Sequence, residues 1–283
     1  MKLPSTVLRA DILGFCSGVR IAVETAEKLA REHPGEKIYS SGNLVHNRHV
    51  IRKLAEIGVH PMGSISDAEP GIAILRAHGE TPEAIQSLKD RGFTIVDATC
   101  AKVRRSHKLI AEYSHRGYHI VIAGERDHSE VRGLVARADS VSVIESVAEV
   151  ETDRGHSPAL LIAQTTFSPG EFERIAEHLV ERYKDLHVIR TICPAMEKRH
   201  KSLEDLAQKV DAVLIVGGKS SANTRRLFER AQSTGIPAWH IEEASEIPAE
   251  VYQFARVGIT AGASTPAWII DGIEERLKGK PCG

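Results

Sequence analysis

The sequence predicts an α/β protein built from three similar modules with mostly parallel sheets. Three observations carry this. Short Val- and Ile-rich runs recur along the chain without clean polar alternation, as in strands buried on both faces of a parallel sheet. Stretches with helical spacing of apolar residues separate them. Cysteines stand at 16, 100, 193 and 282, with gaps of 84, 93 and 89 residues, the spacing of unrelated buried thiols or of a long repeat and not of a ribbon or a dithiol. At about 150 residues per domain the 283-residue chain suggests two domains. The even spacing favours three modules instead, over 14–99, 100–192 and 193–283, the last borrowing a strand from 1–13.

Candidate strands are Thr6–Ala10, Ile38–Ser40, Ile72–Leu75, Thr94–Val96, His119–Ala123, Val141–Ile144, Leu160–Ala163, His187–Ile189, Ala212–Val216, Ala238–Ile241 and Val257–Thr260. A helix follows Cys16, with Val19, Ala22, Val23, Ala26, Leu29 and Ala30 on one face. Thr81-Pro82 opens a helix running to Arg91, and Ser168-Pro169 opens one over Glu171–Tyr183, each with a hydroxyl cap before a proline. Each of Cys16, Cys100 and Cys193 follows a strand and opens a helix. Cys282 keeps the spacing but has no strand before it, and Cys16 fills the third module's cysteine slot from the other terminus.

Composition narrows the function. Apolar residues make up 42% and charged residues 27%, the balance of a globular chain. Lys and Arg number 37 against 38 Asp and Glu, which argues against general nucleic-acid binding. The longest apolar runs are about five residues, far short of a membrane span. Met1-Lys2-Leu3-Pro4 shows no secretory h-region, so a cytoplasmic location is expected.

Ligands of parallel α/β sheets bind beyond the carboxyl ends of the strands. Those positions hold Val45-His46-Asn47, Ala77-His78-Gly79, His128-Ser129-Glu130, Gln164-Thr165-Thr166, Ser221-Ala222-Asn223 and Ala261-Gly262-Ala263-Ser264. Three cysteines from three modules are either buried structural thiols, the plainer reading of position alone, or a soft site for zinc, copper(I) or an iron–sulfur cluster. Glycines on both sides of Cys16, in Gly14-Phe15-Cys16-Ser17-Gly18-Val19, weigh toward a bulky ligand, and helix starts favour thiolates. His46, His78, Ser221, Asn223 and Ser264 could wrap a phosphate or diphosphate. His128 and Glu130, on a loop, could serve one site with Glu130 as a proton donor of raised pKa. Thr165 could orient a substrate hydroxyl. Lys102, Arg104, Arg105 and Lys108 form a basic run, read as a solvated helix face on which an acidic electron donor could dock. His33, His60, His115, His119, His156, His178, His187 and His240 read as surface or capping residues. Gly217-Gly218-Lys219-Ser220 lacks the upstream glycine of a P-loop.

Taken in order, these strings resemble the 4-hydroxy-3-methylbut-2-enyl diphosphate reductase family, also called LytB or IspH. The likeness adds Val45-His46-Asn47-Arg48, Asp97-Ala98-Thr99-Cys100, His128-Ser129-Glu130-Val131, Thr191-Ile192-Cys193, Val216–Asn223 and Gly258–Ser264, and spans nearly the whole chain. It implies a trefoil of three α/β modules around a central [4Fe-4S] cluster held by Cys16, Cys100 and Cys193, the fourth iron open to substrate. It implies reductive loss of water from the allylic diphosphate to isopentenyl and dimethylallyl diphosphate, the last step of the non-mevalonate isoprenoid pathway. Glu130, Thr165 and His128 would handle protons. His46, His78, His128, Thr165, Ser221, Ala222, Asn223 and Ser264 would bind substrate, and a ferredoxin- or flavodoxin-type donor would supply electrons. Neither nucleic acid nor membrane is implied. The chain departs from the family pattern at Ala101, Ala195–His200, Ala222 and Gly124-Glu125. The rival readings are a non-catalytic iron–sulfur sensor on the same fold, and a zinc protein using Cys282 as fourth ligand.

Overall fold

A computed structural model describes residues 3–152 and 157–280. The predicted α/β class holds as three four-stranded sheets in which every pairing is parallel. The first sheet contains β1 (Thr6–Arg9) and three later strands described below. After β1 come α1 (Ser17–Glu32), β2 (Ile38–Ser40), α2 (Arg48–Glu56), β3 (Val59–Pro61), β4 (Ile72–Leu75), α3 (Pro82–Asp90) and β5 (Thr94–Asp97). There follow α4 (Ala101–His115), β6 (His119–Ala123), α5 (Ser129–Val135), β7 (Val141–Ile144), β8 (Ala159–Ala163), α6 (Pro169–Arg182) and β9 (Leu186–Val188). The chain finishes with α7 (Pro194–Ala207), β10 (Ala212–Val216), α8 (Ala222–Gln232), β11 (Ala238–Ile241), β12 (Arg256–Ala261) and α9 (Ala267–Leu277).

The sheets share one strand order. They run β3-β2-β4-β5, β7-β6-β8-β9 and β11-β10-β12-β1, so in each the second strand of the set lies outside the first. In the last sheet the fourth place is taken by the N-terminal strand, with Val7 opposite Val257. Central strands β4, β6, β8 and β10 are buried at every residue, while edge strands β1 and β5 are exposed at both ends. The expectation of two-sided burial therefore holds for the inner strands and fails at the edges, which have a neighbour on one side only. The sequence reading missed β3, a three-residue edge strand. Its Pro61 carries no N–H for a ladder and is tolerated there because an edge leaves one side unpaired.

Packing follows the pleat. In β6 and β8, Ile120, Ile122, Leu160 and Ile162 face Ile110 of α4 and Val131 and Leu134 of α5. Val121, Ala123, Leu161 and Ala163 face the other way, onto Phe172, Ile175 and Leu179 of α6. Fully burying each such Ile or Leu contributes about 1.5–3 kcal/mol, which pins the register because a one-residue slip exchanges the faces. Helix starts follow the predicted chemistry. Thr81 Oγ1 accepts the Ala84 N–H at 3.2 Å and Ser168 Oγ the Glu171 N–H at 3.4 Å, each before a proline at the first helical position.

The chain clusters into two compact units, one comprising Met1–Arg20, Val45–Ile57 and Pro194–Gly283, the other Ile21–Leu44 and Gly58–Cys193. None of the described helices is long and apolar enough to cross a membrane. His119, read as a surface residue, is instead buried, its ring nitrogens meeting Ser140 Oγ at 2.7 Å and Ser142 Oγ at 3.0 Å. Burial is possible because both polar atoms are satisfied. His156 and Cys282 lie outside the described residues.

Candidate functional site

The shared strand order places the site residues by a shared rule. Each cysteine opens a helix directly after the fourth strand of its sheet, and its N–H donates to a carbonyl two residues beyond the third. Cys16 donates to Ala263 at 3.0 Å, Cys100 to Ala77 at 3.0 Å and Cys193 to Thr165 at 2.8 Å. The third strands end at Ala261, Leu75 and Ala163. Repetition of one hydrogen bond in all three sheets is a positioning device, and three unrelated buried thiols have no reason to share it. All three are thiols and half-buried rather than sealed in the core.

A second rule governs the strings after the first strand of each sheet, which cap the next helix. Asn47 Oδ1 accepts from the His49 and Val50 N–H groups at the head of α2. His128 Nδ1 accepts the Glu130 N–H at 3.1 Å at the head of α5, and Ser221 Oγ accepts the Thr224 N–H at 3.4 Å at the head of α8. The predicted loop at His128–Glu130 is thus a cap and first helical turn. The cap fixes both side chains at once, because the histidine ring is bonded to the glutamate's own backbone.

In the first unit, Cys16, His46, Ser221, Ala222, Asn223 and Ser264 gather beyond β10 and β12. Ser264 Oγ donates to the His46 carbonyl at 3.1 Å. Gly218 lies against the same carbonyl, and a Cβ there would come within 2.7 Å of it. Asn223 is buried, and neither its amide nitrogen nor its oxygen has a hydrogen-bond partner. Two orphaned polar atoms at a helix start suit an anionic ligand, since the N-terminal N–H groups add positive potential. Ala222 presents only a methyl group and is buried. Lys219 is occupied by Glu246 at 3.0 Å, which agrees with rejecting a P-loop.

In the second unit, Cys100, His78, His128, Glu130, Thr165 and Cys193 gather beyond β4, β6 and β8. Glu130 is 1% exposed. Its Oε1 accepts the Thr165 N–H and its Oε2 the Thr165 hydroxyl, both at 2.7 Å. Burial pushes the carboxyl from 4.5 up to about 7, against the opposing pull of the two Thr165 hydrogen bonds. The same Thr165 gives its carbonyl to Cys193, so acid and cysteine hang on one residue. The rings of His78 and His128 meet edge to face with centroids 5.5 Å apart.

The supporting roles of several residues escaped the sequence reading. Arg199 of α7 is 2% exposed and donates to the carbonyls of Gly14, at 2.8 Å, and Ala261. Its signal was present, because it lies on the buried stripe Met196, Arg199, Leu203, Leu206, where an arginine is out of place unless it holds something. His107 of α4 is buried against Gly79, where φ is +81° and a Cβ would meet the ring at 2.5 Å. Burial, and next Arg137, lower its pKa to about 4, so the ring is neutral at pH 7. Gln164 accepts the Glu125 N–H at 2.9 Å and donates to Thr166 Oγ1 at 2.9 Å, which fixes the turn that carries Thr165.

The donor set fits a thiolate-bound cluster. The Val19 N–H points at Cys16 Sγ at 3.5 Å, and Cys100 caps α4 with no side-chain hydrogen bond of its own. Gly14, at φ +72°, turns the chain toward Cys16 where a Cβ would lie 3.1 Å from the Thr265 carbonyl. These are positions where helix N–H groups stabilise thiolate sulfur.

Comparison with known proteins agrees. Residues 7–278 match the LytB protein family. The 4-hydroxy-3-methylbut-2-enyl diphosphate reductase of Treponema denticola is 40% identical, over 96% of this chain and 98% of that one. Its counterpart in Aquifex aeolicus is 35% identical, over 96% of each. A solved structure of (E)-4-hydroxy-3-methyl-but-2-enyl diphosphate reductase, the terminal enzyme of the non-mevalonate pathway, superposes with TM-score 0.74 at 33% identity, covering 97% of this chain and 99% of that one. The Plasmodium falciparum enzyme gives 0.90 at 26% identity, covering 99% and 90%. Matched by the family over residues 7–278 and by relatives along nearly its full length, this chain belongs to the LytB family.

Proposed function

We propose that this chain is a 4-hydroxy-3-methylbut-2-enyl diphosphate reductase, which takes two electrons and two protons to remove the allylic hydroxyl as water. Cys16, Cys100 and Cys193 would hold a [4Fe-4S] cluster. When bound, that cluster supplies single electrons and a Lewis-acidic iron for the substrate hydroxyl. The work of the chain is to hold the anion, orient the hydroxyl and hold a proton.

One observation carries the reading beyond a passive iron–sulfur module. A fully buried carboxyl, titrating near 7, is held by two hydrogen bonds from the residue that also anchors Cys193. Hydroxide is a poor leaving group, and an acid of this pKa is half protonated at neutral pH, where general-acid transfer is most effective. Thr165 orients both carboxyl oxygens, and its hydroxyl is placed to pass the proton on. His128 fixes the turn that carries Glu130. A sensor needs none of this, because an ionisable group in a dry site costs stability and has to be repaid by function.

The diphosphate is assigned to His46, His78, Ser221, Asn223 and Ser264, with the heads of α2 and α8 adding N–H groups. Asn223→Ala is expected to raise KM for the diphosphate about 10- to 100-fold, the worth of one hydrogen bond to a charged group, with cluster content unchanged. An unaltered KM would remove Asn223 from the site. A ferredoxin- or flavodoxin-type donor and a cytoplasmic location complete the reading.

The deciding experiment is an anaerobic assay of the iron-loaded chain with the allylic diphosphate and a reduced viologen. Isopentenyl and dimethylallyl diphosphate are the expected products. An intact cluster without turnover would favour the sensor.

A further inference from the structure

The basic run on α4 breaks a local rule. Lys102, Arg104, Arg105 and Lys108 occupy the first two turns, the first turn carries no acidic residue, and the N-cap side chain makes no capping hydrogen bond. Helix N-termini are already positive, so this is the end where stability favours Asp and Glu. Arg104 is accounted for, since it meets Asp97 at 3.1 Å and the Thr99 carbonyl at 3.2 Å. Lys102, Arg105 and Lys108 are exposed and face no carboxylate among the described residues. They follow one another at three-residue steps, so they form one stripe opposite the buried Val103, His107 and Ile110. The acidic residues nearest in sequence are taken: Asp97 by Arg104, and Glu112 by Arg116 at 3.7 Å. Elsewhere in this unit Arg76 and Arg126 each have a carboxylate partner.

Uncompensated charge that opposes a helix dipole has a use outside the fold. We propose that the Lys102–Arg105–Lys108 stripe is the docking face for an acidic one-electron carrier protein. The proposal rests on the reductase reading. At 1.5 Å rise per residue the three charges lie about 3, 8 and 12 Å along the axis from Cys100, the cysteine that opens the same helix. A carrier seated on them therefore stands within a short tunnelling distance of that sulfur. Exposed cations act through screened water, so their leverage falls on the encounter with a large anionic surface rather than on chemistry beneath the helix. The occupant favoured is a protein with an acidic face, because the stripe extends along three helical steps, whereas the small diphosphate is assigned to His46, His78, Ser221, Asn223 and Ser264, none of them on this stripe.

The test reverses the stripe: Lys102→Glu, Arg105→Glu and Lys108→Glu together. Acidic side chains suit this helix end, so the variant is expected to fold. With reduced viologen, turnover and KM for the diphosphate are expected to stay within about twofold of the unsubstituted chain. With a reduced acidic [2Fe-2S] ferredoxin at low ionic strength, kcat/KM for the carrier is expected to fall about tenfold or more, and the salt dependence to flatten. Titration of oxidised ferredoxin into the iron-loaded chain is expected to show the same loss of affinity. Equal ferredoxin-supported rates in both proteins would overturn the docking face alone, as would a raised KM for the diphosphate with viologen. Absence of viologen-supported turnover in the unsubstituted chain would overturn the reductase reading and the docking face with it.

Discussion

Glu130→Gln is expected to lower turnover by about 10²- to 10⁴-fold, the usual contribution of a positioned general acid, and at the same time to stabilise the protein above pH 7. Both effects come from one fact. The carboxyl is buried, and burial lifts its pKa from 4.5 to about 7. Below pH 4.5 it is protonated whether the chain is folded or not. Between 4.5 and 7 the unfolded chain gives up the proton while the folded chain keeps it, so stability falls as pH rises through this window. Above 7 the full cost is in place, about 3 kcal/mol for a shift of this size at 1.36 kcal/mol per unit. The substituted amide carries no charge to desolvate. Its oxygen can still accept the Thr165 N–H, and its nitrogen can donate to the Thr165 hydroxyl. Thermal unfolding should therefore show the variant several degrees more stable at pH 8 and indistinguishable at pH 4.5. In the unsubstituted enzyme kcat should fall as pH rises through 7. Near-normal turnover in the variant, or lower stability at pH 8, would remove Glu130 from the role of proton donor.

Arg199→Ala is expected to produce the largest loss of stability among single substitutions near the site, about 3–5 kcal/mol. The guanidinium bridges two carbonyls from distant parts of the chain, Gly14 and Ala261. Gly14 lies two residues before Cys16. Ala261 lies two residues before Ala263, which accepts the Cys16 N–H. One side chain thus ties both sides of the Cys16 turn, and its removal leaves two buried carbonyls unsatisfied beside a cavity. Arg199→Lys is expected to recover part of the loss only, since an ammonium cannot reproduce the fork. Calorimetry checks the ranking. Alkylation of Cys16 by iodoacetamide in the cluster-free chain checks the location, and it should speed up in both variants. An unchanged rate in a destabilised variant would place the role of Arg199 elsewhere in the unit.

Much of this was written in local sequence. The buried inner strands announced themselves because burial on both faces demands uninterrupted apolar residues, as in Ile72–Leu75 and Ala212–Val216. Thr81-Pro82 and Ser168-Pro169 announced helix starts, because a hydroxyl cap before a fixed φ is local chemistry. Glu130 could be named from its string, as could Asn223 and Ser264. Other features had no local signal. Val59–Pro61 is too short and too polar to read as a strand, and exists because β2 offers it an edge. His119 looked like a surface histidine, since nothing nearby in sequence reveals that Ser140 and Ser142 will meet its ring. The His128–Glu130 turn read as a loop because a histidine cap depends on where the ring points.

What the sequence by itself determined is the class of fold, the threefold beat of cysteine, helix and strand, and the side chains available for chemistry. Periodicity and cap chemistry act over a few residues and survive in any one-dimensional reading. Only the tertiary structure decided that the three sheets share one strand order, and that each cysteine hangs from the second residue past a neighbouring strand. It also decided that Glu130 is dry and doubly held by Thr165, which turns an ordinary glutamate into an acid near pH 7. Desolvation and hydrogen bonds between residues 35 or more positions apart are properties of a packed interior, and no local pattern encodes them.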